Sequence, residues 1–204
     1  MYIDFSEQEP TQVYFTMTQT VIPRPIAWVL SEHANGTLNL APFSYFNAVC
    51  SDPPLLLISV GKKPDGSPKD TRVNIEQRRD FVVHIAHREL LPQLNQSSAT
   101  MPAGESEVDA AALQTTAFVG ARLPRLASAR IAFACRLHDI QEIGGMPQAL
   151  ILGRVDRAYI DDAVVSHDAK GRLKVNADRV DPLARLGASE YMFCGELATL
   201  KRPA

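Results

Sequence analysis

Arg24-Pro25-Ile26-Ala27-Trp28-Val29, Asn39-Leu40-Ala41-Pro42-Phe43-Ser44-Tyr45-Phe46-Asn47-Ala48-Val49, Ser51-Asp52-Pro53-Pro54 and Asp65-Gly66-Ser67-Pro68-Lys69-Asp70-Thr71 follow one another between residues 24 and 71 of a 204-residue chain. They set strand-like apolar runs beside hydroxyl, amide and basic groups. Ile26 to Ser31 reads as a strand, and His33-Ala34-Asn35-Gly36 as a turn, because Asn-Gly readily takes positive φ. A second strand runs from Thr37 to Cys50 with a bend at Pro42, and Asp52-Pro53-Pro54 breaks it. Leu55 to Val60 is a continuous apolar run between Pro and Gly, the pattern of a strand covered on both faces.

Outward from this stretch, Thr11 to Thr20 makes a short helix ended by Pro23 and Pro25, and Phe81 to Ala86 alternates as a strand. The helical signal returns from Arg88 to Leu113, broken at Pro102 and Gly104 and clearest from Glu105 to Leu113. Ala129 to Gln141 and Ala149 to Ile160 read as long strands joined by a turn at Gly144-Gly145-Met146-Pro147. Asp161 to Pro182 is a polar excursion, and Tyr191 to Leu200 a last strand. Many strands punctuated by turns, with only short helices, predict a mainly β, antiparallel barrel with short helical insertions. No repeat or low-complexity linker divides the chain, so residues 1–204 are expected to form one domain.

Hydrophobic residues at 46%, charged residues at 22% and a net charge of −2 exclude a disordered or fibrous chain. The scattered basic residues give no footprint for nucleic acid or an acidic membrane surface. Cys50, Cys135 and Cys194 are far apart and odd in number, which fits a reducing cytoplasm rather than a disulfide framework. The first residues carry an early acid and no long apolar core, and the apolar runs are strand-sized, so neither a signal peptide nor a membrane span is expected.

The sharpest local signal is Ser67-Pro68-Lys69-Asp70, which reads as an N-cap serine, a proline at the first helical position and an acid at the third. The helix would run to Arg78 and Arg79, whose charges suit its C-terminal end. Its start offers backbone N–H groups and a partial positive charge to a phosphate, with Lys69 and Thr71 adding a cation and a hydroxyl. The same residues also read as a well-capped surface helix. Ser44, Tyr45 and Asn47 offer hydrogen bonds to a polar planar ring, and Ala41, Pro42, Phe43 and Phe46 offer apolar surface. An ordinary half-buried strand has the same pattern, with Phe43, Tyr45 and Asn47 on one side and Ser44, Phe46 and Ala48 on the other. Trp28, the single tryptophan, reads either as a platform for an aromatic ligand or as core. Arg24 is suited either to an anionic group or to a surface carboxylate.

His84 and His87 lack the further ligands that a zinc site needs, so no metal is expected. His87-x-Glu89 matches half of a deaminase signature whose Pro-Cys-x-x-Cys half is missing. The nucleophile-elbow, P-loop and dinucleotide fingerprints are absent from the sequence.

Together, the Pro-Arg-Pro-Ile-Ala-Trp-Val, Asn-Leu-Ala-Pro-Phe-Ser-Tyr-Phe-Asn-Ala-Val, Ser-Asp-Pro-Pro and Asp-Gly-Ser-Pro-Lys-Asp-Thr runs resemble the flavoredoxin-type branch of the flavin reductase-like family. The likeness extends more loosely through Phe81-Val82-Val83-His84 to Arg185-Leu186-Gly187 and Tyr191. The resemblance implies a Greek-key split β-barrel, a homodimer, and FMN held near the subunit interface. It implies that Arg24, the Trp28, Val29 and Ser31 strand, and Ala41, Pro42, Ser44, Tyr45, Phe46 and Asn47 border the cofactor. Lys69, Asp70 and Thr71 would lie near the phosphate, and Tyr191 would approach a flavin from the partner chain. It departs from the family at Gly187-Ala188, where many relatives have two glycines, and at Cys50, where relatives often have serine. The implied activity is NAD(P)H:flavin oxidoreduction, with reduced flavin passed to a monooxygenase or other redox partner. The cofactor carries that chemistry, so no catalytic side chain is required. The alternatives are an FMN-binding electron carrier without strong NAD(P)H activity, or a non-catalytic split-barrel binding module.

Overall fold

The computed structural model describes residues 1–145, 148–201 and 203. In chain order, helix α1 (Pro10–Thr20) leads to strands β1 (Arg24–Pro25), β2 (Ala27–Glu32), β3 (Leu38–Phe43), β4 (Phe46–Ser51) and β5 (Pro54–Val60). Helix α2 (Asp70–Arg78) and strand β6 (Asp80–Ile85) come next, then the short helices α3 (Leu91–Gln96) and α4 (Glu107–Ala110). The two-residue strands β7 (Thr115–Thr116) and β8 (Arg125–Leu126) precede the long hairpin of β9 (Ile131–Ile143) and β10 (Gln148–Ile160). The chain ends through β11 (Val165–His167), β12 (Leu173–Val175), helix α5 (Ala177–Val180), β13 (Ala184–Arg185) and β14 (Tyr191–Met192).

Seven strands form one antiparallel sheet in the order β3-β2-β6-β9-β10-β5-β4. Consecutive strands β3 and β4 therefore stand at opposite edges, and the sheet must curl for two residues, Ser44 and Tyr45, to join them. The Ser59 N–H, on β5, donates to the Tyr45 carbonyl at 2.8 Å and fixes the end of this connection to the β4–β5 side of the sheet. This is the mainly β barrel that the strand pattern predicts.

The sheet is covered on both faces near its middle. Ala27, Val29, Ile58, Val60, Phe81, Val83 and Ile151 point into one core, which Ile75 of α2 completes. Trp28, Leu30, Val82, Ala132 and Ala134 point into the other, roofed by Leu90, Leu94, Val108 and Leu126. Strands β2 and β6 are buried on both faces for this reason. Strand β5 is not, contrary to the reading of its apolar run: Leu57 and Ser59 are half-exposed because the roof does not extend over them.

Other expectations need correction. The chain bends at Ser44-Tyr45, not at Pro42, which lies within β3, a strand paired only with β2. Proline is tolerated on such an edge, where no ladder donor is required. The bend also breaks the expected alternation, since Phe43 is buried whereas Tyr45 is exposed. The helix expected from Glu105 to Leu113 is one turn, stopped by Ala112 at φ 50°. The polar excursion holds the β11–β12 hairpin and α5. The last strand stops at Met192, beyond which the chain is held by side chains: the Cys194 N–H donates to Asp181 Oδ1, and the Arg88 guanidinium stacks on Phe193. Within the expected turn at 144–147, Met146 and Pro147 lie outside the described residues. Ala188, at the departure from the relatives' glycine pair, holds φ at 47°, a left-handed conformation that glycine adopts more easily.

Candidate functional site

Two clefts adjoin across Pro42 and Ser98. The first, about 150 Å³, lies between β3 (Asn39, Ala41, Pro42), the start of α2 (Lys69, Asp70, Thr71) and the segment Ser97–Met101, with Lys63 and Glu107 at its sides. The second, about 200 Å³, is lined by Ile26, Pro42, Ser44, Leu94, Asn95, Ser98, Arg185 and Tyr191. Within it, the Arg185 guanidinium lies 4.6 Å from the Tyr191 ring centre, and the Tyr191 hydroxyl donates to Asn95 Oδ1 at 3.4 Å.

The first cleft offers several donors to an anion. Helix α2 starts at Asp70 with Lys69 as its N-cap, and no side chain caps its first turn. Those N–H groups have no intrahelical acceptor and form the positive end of the helix dipole. Lys63 is neutralised by Asp70, Nζ to Oδ1 at 2.8 Å. Lys69 has no carboxylate partner among the described residues, and its ammonium sits 5.6 Å from the Phe43 ring centre. Although the residue as a whole is exposed, protein crowded around its head lowers its pKa below the ordinary lysine value. An unpaired cation in such a place is stabilised by an arriving anion.

Beneath the cleft runs a buried amide–hydroxyl network. Asn39 Nδ2 donates to Ser31 Oγ and to Thr71 Oγ1, both at 3.0 Å, and Asn74 Nδ2 donates to Ser31 Oγ at 3.1 Å. Thr71 thus has its oxygen occupied and its hydroxyl proton free, which leaves a donor on the cleft wall. Glu107, almost fully buried, accepts the Leu40 N–H at 2.9 Å through Oε2 and so satisfies a donor on the free edge of β3. Burial raises its pKa, with the nearby Asp70 carboxylate adding to the effect.

Of the sequence-derived candidates, the fold brings Ala41, Pro42, Ser44, Lys69, Asp70, Thr71 and Tyr191 to these clefts. Tyr191 lines the second cleft from its own chain. The expected capping box is absent: Ser67 turns its hydroxyl to Asp65 Oδ1, Pro68 bridges to Lys62, and the helix starts two residues later. Arg24 has no carboxylate partner among the described residues. It is buried, and donates to the carbonyls of Thr18, Val21 and Leu186 and to Ser44 Oγ. It therefore ties α1 to the C-terminal segment and positions Ser44 at the cleft. The Trp28 indole is sealed in the core, where Nε1 donates to Ser97 Oγ at 2.8 Å, so it offers no stacking platform. Val29 is equally buried, and Ser31 is consumed by the network below the floor. Tyr45, Phe46 and Asn47 line neither cleft, because past Ser44 the chain turns away into β4, which pairs with β5. Cys50 is exposed on the same strand.

His84 is a core residue: Nδ1 donates to the Trp28 carbonyl at 3.1 Å and Nε2 accepts the Leu126 N–H at 3.0 Å, which fixes the neutral tautomer. Among the described residues no His, Cys, Asp and Glu cluster could hold a metal. Sequence reasoning gave no site role to Lys63, Asn95, Ser98, Arg185 or Glu107. Arg185 stands in a run quoted only for the family likeness, the others belong to no motif, and all but Lys63 reach the clefts from segments far along the chain.

The curled antiparallel barrel thus sets an uncapped helix start at the end of a cleft, a geometry able to accept an anionic group. The family model for the flavin reductase like domain matches residues 17–175, and the chain belongs to that family. Its fold is the split barrel of flavin reductases. An uncharacterized protein of Halalkalibacterium halodurans is 36% identical over 194 residues, 93% of this chain and 90% of the relative. Nitrilotriacetate monooxygenase component B from Bacillus cereus superposes with a TM-score of 0.90 at 34% identity, over 98% of each chain. The 2-nitrobenzoate 2-nitroreductase NbaA of Pseudomonas fluorescens gives 0.88 at 29%, over 100% of this chain and 96% of that one.

Proposed function

We propose that the protein is an NAD(P)H:flavin oxidoreductase that holds FMN, with the phosphate at the start of α2 and the remainder along Pro42 toward Ser44 and Tyr191. The carrying observation is the uncapped α2 start beside the unpaired Lys69, continuous with a second cleft of mainly polar lining that carries an apolar patch at Ile26, Pro42 and Leu94. The residues fit the group. Lys69, the Thr71 hydroxyl and the first-turn N–H groups supply donors to a phosphate. Ile26, Pro42 and Leu94 supply apolar surface to a ring, and Ser44, Asn95 and Arg185 supply a few polar contacts. When bound, FMN supplies the redox chemistry by accepting a hydride from the nicotinamide. The chain binds and orients: Arg24 holds Ser44, and the Asn39 network holds Thr71.

The likeness to a monooxygenase component B supports transfer of reduced flavin to a separate monooxygenase or other redox partner. We place one domain per chain in the cytoplasm, where three free cysteines are at home, and pair the chains as a homodimer. Among the described residues no helix is long and apolar enough to cross a membrane. The nitroreductase likeness favours a second reading, in which the flavin stays bound and reduces a nitroaromatic acid directly.

The test is an anaerobic titration of FMN-loaded protein with NADH and then NADPH, read at about 450 nm, where oxidised flavin absorbs. Bleaching by either nucleotide is expected. A bound flavin that stays yellow overturns the nicotinamide donor and leaves an electron carrier, and failure to bind FMN overturns the cofactor. Recovery of the band on adding 2-nitrobenzoate, still without oxygen, would select the second reading.

A further inference from the structure

Four charged side chains line the first cleft: Lys63, Lys69, Asp70 and Glu107. Lys63 and Asp70 cancel each other at 2.8 Å, so the balance rests on Lys69 and Glu107. With Glu107 ionised the lining is neutral overall, and a carboxylate faces the incoming anion. With Glu107 protonated the lining carries one net positive charge, added to the partial charge of the α2 start.

The placement of Glu107 is specific. It opens α4, is 7% exposed, and has one oxygen held by the Leu40 N–H. Among the described residues no other residue hydrogen-bonds Oε1. The groups around it are Lys69 and Asp70 on α2, Lys63 before it, His33 in the turn between β2 and β3, and Asp109 on its own helix. Segment 97–101 contributes no titratable side chain to the cleft. Its own backbone N–H also donates to the carboxyl, and Oε2 serves the sheet edge, so Oε1 is the oxygen available to a ligand in the cleft that Glu107 lines.

We propose that Glu107 receives the phosphate end of the ligand as a neutral acid, donating its proton from Oε1 to a phosphate oxygen, so that filling the cleft with a phosphomonoester takes up a proton. This rests on the FMN reading and adds to it a linkage between cofactor affinity and pH. Burial and Asp70 already bias Glu107 toward the protonated form, and a phosphate dianion extends that bias. Affinity for FMN then falls as pH rises between the Glu107 pKa values of the free and filled cleft, by up to about tenfold per pH unit. Riboflavin, which lacks the phosphate, shows no such dependence.

The experiment is calorimetric titration of the protein with FMN and with riboflavin from pH 6.5 to 8.5, in pairs of buffers with different ionisation heats. That range lies above the second phosphate pKa of about 6, so the ligand's own proton contributes little. Uptake of a sizeable fraction of one proton is expected for FMN and none for riboflavin. Glu107→Gln keeps a carbonyl acceptor for the Leu40 N–H and should abolish the uptake and flatten the pH profile, except for an alkaline loss from Lys69. A purely structural Glu107 would lower stability in the variant and leave the uptake intact, which overturns the proposal. If Glu107→Gln does not fold, the wild-type buffer pairs still decide, since zero net uptake with FMN bound overturns it. FMN that does not bind at all overturns both this proposal and the cofactor reading.

Discussion

Lys69 and His84 are both shifted by desolvation, with opposite consequences. Lys69 is a cation awaiting a partner, so its removal should be felt only by ligands that bring one. Lys69→Ala is expected to weaken FMN by about 1–3 kcal/mol, roughly five- to 150-fold in Kd, and riboflavin hardly at all. Fluorescence titration of both flavins measures this, and equal losses would remove the phosphate contact. His84 needs to be neutral: its folded pKa is lowered to about 4 from 6.5, by burial first and by the nearby Arg125 next. The unfolded chain therefore binds the extra proton between those values. Stability is complete above pH 6.5 and declines as pH falls toward about 4, by roughly 3 kcal/mol from this residue. Urea midpoints against pH should show that decline in the native protein and much less of it in His84→Gln, while identical profiles would acquit His84. The lowered carboxylates, such as Asp181 beside Arg88, act nearer their own lower range. The type of residue at positions 24 and 28 left two roles open. Ser97, far away in sequence, decides for core at Trp28, while Arg24 takes a third role set by backbone carbonyls such as that of Leu186.

Elements were legible where local chemistry and tertiary demand agreed. Strand β2, the Asn35-Gly36 turn with Gly36 at φ 88°, and the long β9–β10 hairpin all fall where their patterns place them. The start of α2 was misplaced because the Ser67 hydroxyl and N–H both donate to Asp65 Oδ1, and this local side-chain turn competes with a cap in which Ser67 would accept from a helix N–H. The segment at 105–113 failed as a helix because Leu113 returns to bond Val108 and bury itself in the roof. Gly153 on β10 shows the reverse case, a residue whose pattern is silent and whose place is strict. The ladder shifts register between Leu152 and Gly153, and a methyl at Gly153 would meet Phe81 Cζ at 2.3 Å. Phe81 is buried and the ring cannot retreat without disturbing Val29 and Val83 around it. Gly153→Ala is therefore expected to destabilise by about 1–3 kcal/mol. Chemical denaturation reads it, and a loss within 0.5 kcal/mol would mean that the bulge relaxes instead.

At the scale of the molecule, the curled sheet solves the problem of joining β3 to β4 and leaves another at the outer edge. Every residue of β4 after Phe46 is exposed, including Val49, and the strand pairs on one side only. Beside it, Tyr45 has its pKa raised by burial and then by neighbouring Tyr14 of α1, which places that helix against the same edge. Tyr14, Phe15, Val21, Ile22, Tyr45 and Val49 are all exposed and uncharged. A free edge next to an apolar helix face invites pairing unless it is covered. The homodimer proposed above would meet that need, each chain presenting the same uncharged surface to the other as a two-fold interface requires. Light scattering should give a particle of twice the 22.4 kDa chain. Phe15→Glu together with Val49→Glu would bury four like charges across a two-fold interface and should return it to one chain mass, with the barrel's circular dichroism unchanged. A native protein that scatters as a single chain would remove the interface, and a double variant that remains paired would move it to another face.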